Sequence, residues 1–176
     1  MRKSFILKAV FAFLFLLVYS NEAALAQGWE TYKVDGATVT FEMPQPIKMQ
    51  QDPKTGTIMY VSKKGKISMK VAIQKRNYQE DVSKGNTDEK VLDNFALRFL
   101  ALSKRNFEKM GFPTKYQFSN DIKTPTGIGK QFNAKVGKAS VLNRFYVNKQ
   151  GLYMVEAITQ NTQDPDINRF LKSFKP

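Results

Sequence analysis

Residues 148–176 read NKQGLYMVEAITQNTQDPDINRFLKSFKP, and two hydrophobic periods follow one another in this closing stretch. Residues 152–160 alternate between the two faces of an extended chain, which is typical of a β-strand. Apolar residues then recur at intervals of three and four, the spacing of an amphipathic helix. They are Ile167, Phe170, Leu171 and Phe174. The stretch therefore predicts a final strand and a final helix that together close a small fold.

Two aspartates mark the start of the final helix. Asp164 is expected to be its N-cap, Pro165 its first residue, and Asp166 a first-turn carboxylate that complements the helix dipole. Two neighbouring carboxylates also suggest a metal site or acid–base chemistry. Capping accounts for both of them, so we interpret them as structural, and we interpret Asp88 and Glu89 in the same way.

The chain upstream of this stretch shows the same alternation. We expect strands at residues 116–122, 127–136 and 140–148, which form an antiparallel meander with residues 152–160. A long helix precedes the meander, with Thr87 as its N-cap and Gly111 just past its end. Its expected apolar rows are Leu92, Phe95, Phe99, Leu102, Phe107 and Met110.

The first third of the mature chain predicts two hairpins followed by a loop at residues 76–86. One hairpin joins strands 29–33 and 37–43 across Asp35-Gly36, and the other joins strands 57–62 and 66–75 across residues 63–65. Strands, a long helix, more strands and a final helix define an α+β fold. We expect an antiparallel β-sheet covered by a long central helix and a C-terminal helix.

Three segments resemble one family. GATVTFEMPQPIK, the run 127–158 and DINRFLKSFK (residues 166–175) are similar to domains with the fold of the photosystem II extrinsic subunit PsbP and a related Ran-binding nuclear import factor. Small exported bacterial proteins of this group share a strand pair and a closing helix. The resembling positions here are Arg144, Tyr146, Tyr153, Arg169, Phe170, Leu171, Ser173 and Phe174.

The resemblance implies a PsbP-like α/β/α sandwich and an accessory or binding role without catalysis. It supplies no catalytic residues, and neither photosystem binding nor Ran binding follows from it. The chain departs from the group before its penultimate strand, where Val136-Gly137-Lys138 replaces a common Gly-Gly pair.

The composition restricts the chemistry. The 176 residues include no Cys and no His, which excludes disulfides, thiolate catalysis and histidine-based triads or metal sites. We therefore expect no catalytic, cofactor-binding or metal-binding residues and no enzyme. The net charge of +13 at neutral pH attracts anionic partners.

The N-terminus has the three parts of a secretory signal. Arg2, Lys3 and Lys8 precede an apolar run at residues 9–19, and Ala24-Leu25-Ala26 forms a small-x-small cleavage site. The run is shorter than the roughly 20 residues of a spanning helix, so we favour a cleaved signal over an uncleaved anchor. Residues 27–176 are then a single domain, exported to the bacterial periplasm or beyond the cell.

Export decides which anionic partners we expect. The first hypothesis is a non-enzymatic accessory domain that engages another envelope protein. The alternative is a binding module for a small ligand, an anionic lipid or a polysaccharide. Nucleic acid is not expected as a partner outside the cytoplasm.

The basic residues are the leading candidates for a site. Lys63, Lys64, Lys66 and Lys70 cluster in the second hairpin and could bind an anion or an acidic partner, or could be ordinary solvated surface. A second group consists of Lys130, Lys135 and Lys138.

Glu156 shares a strand face with apolar residues and needs a partner if it is buried. A three-residue loop at 149–151 with Gly151 in the left-handed conformation pairs it with Arg144, whereas a two-residue turn pairs it with Asn143. We favour the first register and a structural Arg144–Glu156 ion pair. The neighbouring aromatics could line a pocket, but we favour packing within the sheet. They are Phe132, Phe145, Tyr146 and Tyr153.

We predict that a bacterial host processes the chain after Ala26, so that the mature protein begins at Gln27. Loss of three cationic residues and one acidic residue leaves a net charge of +11. Intact-mass measurement of protein from the periplasm or medium checks the cleavage. A full-length mass in the membrane fraction would show an uncleaved anchor instead.

Overall fold

A computed structural model describes residues 28–34 and 39–176. The predicted signal segment and the Asp35-Gly36 turn lie outside these residues. The strands and helices are β1 Trp29–Lys33, β2 Thr40–Pro44, β3 Lys48–Gln51, β4 Ile58–Lys64, β5 Ile67–Lys75, α1 Tyr78–Ser83, α2 Asp88–Lys109, β6 Gln117–Lys123, β7 Gly127–Val136, β8 Ala139–Asn148, β9 Gly151–Thr159 and α3 Pro165–Ser173.

The strands form a seven-stranded sheet in the order β3-β4-β5-β9-β8-β7-β6, with β1 and β2 as a separate pair. Every neighbouring pair is antiparallel. One long helix and the C-terminal helix lie on opposite faces of the sheet, which confirms the predicted α+β sandwich. Among the described residues, no helix is long and apolar enough to cross a membrane.

The helix α3 and the β1–β2 pair cover one face, which we call the α3 face. Phe170 packs there with Phe41 of β2, Val71 of β5 and Val155 of β9, all of them fully buried. Asp164 caps α3 by accepting a hydrogen bond from the amide of Asp166, as the sequence predicts. The residues that follow α3 also pair with β2 through two backbone hydrogen bonds between Thr40 and Lys175.

The helix α2 covers the other face, which we call the α2 face. Thr87 caps this helix, and Gly111 follows its end with a φ of 83°, as predicted. The predicted apolar rows are only partly correct. The buried positions are Leu92, Ala96, Leu100, Ser103 and Phe107, so two small residues replace large apolar ones on the face that meets the sheet.

Residues 76–86 are not simply a loop, because α1 forms within them. Asn77 caps this short helix, and Arg76 lies behind it with a side chain only 2% exposed. The Arg76 guanidinium contacts carboxylate oxygens of Asp81 at 2.6 Å and Asp88 at 2.7 Å and donates to the carbonyl of Asn148. This single side chain ties both helices to the β8–β9 turn.

The β8–β9 turn differs from the favoured prediction. Asn143 lies opposite Glu156, and Arg144 lies opposite Val155, so the two-residue alternative is correct. Gly151 begins β9 and is not among the described glycines with a positive φ. The glycine is needed for a different reason, since a Cβ at this position would lie 2.8 Å from the ring and hydroxyl of Tyr153.

Asn148 stabilises this turn through one side-chain oxygen. That oxygen accepts hydrogen bonds from the amides of Gln150 and Gly151 at 2.8 and 3.0 Å and from the Tyr153 hydroxyl at 3.1 Å. The Tyr153 ring therefore folds back over Gly151, which leaves no room for a side chain there.

We predict that Gly151→Ala lowers the free energy of unfolding by about 1–3 kcal/mol, because the methyl group collides with the buried Tyr153 ring. Urea denaturation of the purified domain measures the loss. Gly28→Ala is the matched control, since a Cβ at Gly28 meets no atom within 4 Å. Gly151→Asn separates the two interpretations, because asparagine tolerates a left-handed conformation but not this contact. A stable Gly151→Asn protein would support the loop with Gly151 in the left-handed conformation.

Candidate functional site

The four lysines predicted as an anion-binding patch do not share one surface. Lys64 lies on the α3 face, where its ammonium is 2.8 Å from a carboxylate oxygen of Asp166. Lys70 lies on the α2 face, 2.5 Å from Glu156. Lys63 shares the face of Lys70, and Lys66 is exposed in the turn. The structure does not gather the predicted patch on one surface, because alternation along the strands separates its members and ion pairs engage two of them.

The predicted Arg144–Glu156 ion pair is also wrong. A shift of one residue in register moves a side chain to the opposite face of a sheet. Arg144 accordingly lies on the α3 face, where Nη1 donates to the carbonyl of Leu171 at 2.9 Å and Nε donates to Gln131 at 2.8 Å. Glu156 lies on the α2 face and pairs with Lys70 across β5 and β9.

Glu156 belongs to a polar layer between α2 and the sheet. Its residue is 4% exposed, and Asn143 beside it is fully buried. The hydroxyl groups of Tyr116 and Ser103 are 2.8 Å apart in the same layer. Burial and the Glu156 charge raise the pKa of Tyr116 well above its usual range, so its phenol stays protonated at neutral pH. Ser103 and Tyr116 hydrogen-bond to each other and Lys70 pairs with Glu156 beneath the helix, which is a structural role.

The four aromatics weighed as pocket residues are packed in the core. Phe145 lies between Phe95, Phe99 and Phe132, with ring centroids 5.5–6.0 Å away. On the other face, Tyr146 stacks on the ring of Phe174 at 5.1 Å. These rings hold the helices against the sheet, and none of the four predicted pocket residues is in the lining of the groove described below.

An open groove of about 700 Å³ occurs on the α3 face, where β6, β7 and β8 extend beyond α3. We call it the basic groove. Its walls come from the segment before β6, the three strands, and the first turns of α3. The lining residues are Pro113, Lys115, Gln117, Gln131, Asn133, Ala134, Lys135, Ser140, Leu142, Arg144, Thr162, Ile167, Asn168 and Leu171.

The basic groove contains three cations and no acidic residue. The Lys135 ammonium donates to the hydroxyl of Ser140 at 2.6 Å, and the Arg144 guanidinium is held by Gln131 and Leu171. Lys115 is exposed. An anion that enters the groove therefore meets positive charge that no carboxylate of the lining neutralises.

The second basic group from the sequence is divided in the same manner. Lys130 pairs with Asp93 of α2, whereas Lys135 lies in the basic groove and Lys138 is exposed in the β7–β8 turn. Of the groove cations, Lys135 belongs to the second basic group predicted from the sequence, Arg144 was predicted to pair with Glu156, and Lys115 was not predicted. One available signal was the polar face of β7, where Gln131, Asn133 and Lys135 alternate with apolar residues.

The side chains of the basic groove supply hydrogen bonding and positive charge, including a Lys135 ammonium that donates to the Ser140 hydroxyl. Its lining has no carboxylate, imidazole or thiol that could act as a general base or nucleophile. Across the described ranges, no group of three or more acidic, histidine or cysteine residues could hold a metal ion. The arrangement suits binding.

Comparison with solved structures identifies the architecture. The solution structure of cyanobacterial PsbP (CyanoP) from Synechocystis sp. PCC 6803 superposes with a TM-score of 0.53, covering 88% of this chain and 96% of that chain. The chain has a PsbP-like fold. The resemblance predicted from the sequence is confirmed at the level of the fold, which is all that 13% identity shows. No family model and no curated protein matches the sequence of the present chain.

We predict that Lys70 and Glu156 are energetically coupled and that Arg144 and Glu156 are not. Lys70→Met leaves a buried carboxylate without its partner and should cost about 3 kcal/mol at neutral pH, less if water reaches it. In Lys70→Met/Glu156→Gln much of that loss should return. Urea unfolding of the single and double variants measures the coupling energy. A larger coupling in the parallel Arg144→Gln/Glu156→Gln cycle would contradict the assigned pairing.

Proposed function

We propose that this protein is an exported, non-enzymatic binding domain of the bacterial envelope that takes an anionic group in the basic groove. The observation that carries the proposal is a groove with three cations and no acidic residue in its lining. Export rests on the signal-like residues 1–26 and is part of the proposal. A PsbP-like fold and a lining without carboxylate, imidazole or thiol groups are consistent with binding as the sole activity.

Arg144 is the central residue of the proposed site. Its guanidinium is oriented by Gln131 on β7 and by the carbonyl of Leu171 on α3. A guanidinium group that is already held in place loses little conformational freedom when it binds a carboxylate or a similar anion. Lys115 and Lys135 add charge on the two other sides of the groove, on the segment before β6 and on β7.

The volume and the lining of the groove favour a small ligand over a flat protein interface. Its volume lies in the range of sites that bind small molecules, roughly 300–1,000 Å³. Polar, basic and apolar side chains line it, while the aromatic residues of the core lie elsewhere. The groove therefore supports the second binding hypothesis, an anionic ligand, more directly than the first.

An envelope-protein partner remains the second candidate, and one observation favours it. The strand β6 is an edge of the sheet, and Phe118 on it is 54% exposed. Phe112, a few residues upstream, is 42% exposed. However, the β6–β7 register shifts between Phe118 and Asn120, and such a bulge disfavours continuous pairing with an added strand.

We predict that short polyanions bind residues 27–176 at the basic groove. Chemical-shift mapping by NMR with a glutamate pentapeptide should place the largest changes at groove residues. Lys115→Gln/Lys135→Gln should weaken binding roughly tenfold or more, because each lost contact is a charge-assisted one. Raising the salt concentration should weaken binding further.

The matched control is Lys66→Gln/Lys90→Gln, which removes the same net charge from exposed positions outside the groove. This variant should bind within about twofold of the parent, since distant surface charges are screened. Equal losses in both double variants would show attraction to the net charge alone and would refute a groove site.

A further inference from the structure

We propose that the ligand of the basic groove is a linear oligosaccharide with carboxylate groups, of the polyuronate class. This inference rests on the proposed function and names the ligand class of the same site. It is carried by the combination of separated cations with exposed carboxamides, which together match a sugar chain that bears both carboxylates and hydroxyls.

The carboxamides supply the hydroxyl recognition. Gln117 on β6 and Asn168 on α3 are exposed at the groove, and Asn133 lies opposite Gln117 in the register. Each carboxamide has a carbonyl acceptor and two N–H donors side by side, so it can accept from one sugar hydroxyl and donate to the next. Gln131 donates to Asn133 at 3.2 Å, which orients the Asn133 amide.

The cations are spaced for more than one carboxylate. Arg144 lies opposite Gln131, and Lys135 is four residues further along the same strand. The backbone positions from which Arg144 and Lys135 extend are therefore about 13 Å apart along the strands, which is longer than a single sugar ring. Lys115 lies on a third element, before β6. A ligand with one charge cannot meet all three cations, whereas a chain with an acidic group on each ring can.

The apolar side chains of the lining offer little surface to a ligand. Ile167 and Leu171 belong to α3 and are buried against the sheet, and Leu142 is half-buried. The lining therefore offers no continuous channel for an acyl chain. The groove has no aromatic residue among its lining, so it also lacks the Trp or Tyr anchors that dominate protein interfaces.

A phosphate ligand fits less well. Phosphate sites commonly use the free amides at a helix N-terminus, and α3 begins near the groove. That terminus is already capped, because the Asp164 carboxylate accepts the hydrogen bond of the Asp166 amide at 2.9 Å.

The experiment compares ligands of matched length on the chain of residues 27–176. Calorimetric titration uses tetragalacturonate, its neutral methyl ester, a glutamate tetrapeptide, inorganic tripolyphosphate and vesicles of phosphatidylglycerol. Tetragalacturonate should bind most tightly. Its methyl ester should bind at least tenfold more weakly, because the charges are lost.

Two further variants test the hydroxyl contacts. Gln117→Ala/Asn168→Ala should lower the affinity for tetragalacturonate roughly fivefold or more, since two hydrogen bonds are lost. The same variant should change the affinity for the peptide less than twofold. The control Gln79→Ala/Asn94→Ala makes the same chemical change at exposed positions outside the groove. Circular dichroism confirms that each variant is folded.

The outcomes separate the two proposals. The sugar proposal is overturned if the peptide, tripolyphosphate or the vesicles bind at the groove more tightly than tetragalacturonate. It is also overturned if Gln117→Ala/Asn168→Ala leaves the affinity for every ligand unchanged. Either result leaves the anion site standing. If no polyanion loses affinity in Lys115→Gln/Lys135→Gln, both proposals fail together.

Discussion

The pairing of β8 with β9 is the constraint on which the rest of the structure depends. These two strands lie at the centre of the sheet and carry buried side chains on both faces, so their register decides which residues face α2 and which face α3. Asn148 and the contact between Gly151 and Tyr153 define the turn that joins them. With this register Arg144 faces the α3 side and Glu156 faces the α2 side.

Ion pairs form on both faces of the sheet, including Lys64–Asp166 on the α3 face, but the cations of the basic groove have no acidic partner in its lining. Beneath α2, Lys70 pairs with Glu156 and Lys130 pairs with Asp93. On the α3 face the short closing helix covers only part of the sheet. Arg144 and Lys135 therefore remain next to an open groove whose lining contains no acidic partner. The basic groove is open because α3 is short, and it stays basic because the carboxylates of these ion pairs lie outside its lining.

Sequence patterns predicted the elements better than the contacts. The α3 stripe, its Asp164 cap and the Thr87 cap depend on residues close together in the chain, and each was predicted correctly. The helix α1 and the strand β3 were missed because they are short and have weak apolar periodicity. The glycine at 151 was misinterpreted, since its reason is a ring two residues away and not its own backbone conformation.

The sequence by itself determined the α+β class, the order of most elements and the absence of thiol and imidazole chemistry, because those depend on local pattern and composition. Only the tertiary structure decided which charged side chains meet. Lysines that are neighbours in the chain were sent to opposite faces, while Lys115, Lys135 and Arg144 from separate segments were brought to one groove. The register of the strands and the area of sheet that each helix covers determine those contacts. Neither can be inferred from a short stretch of sequence.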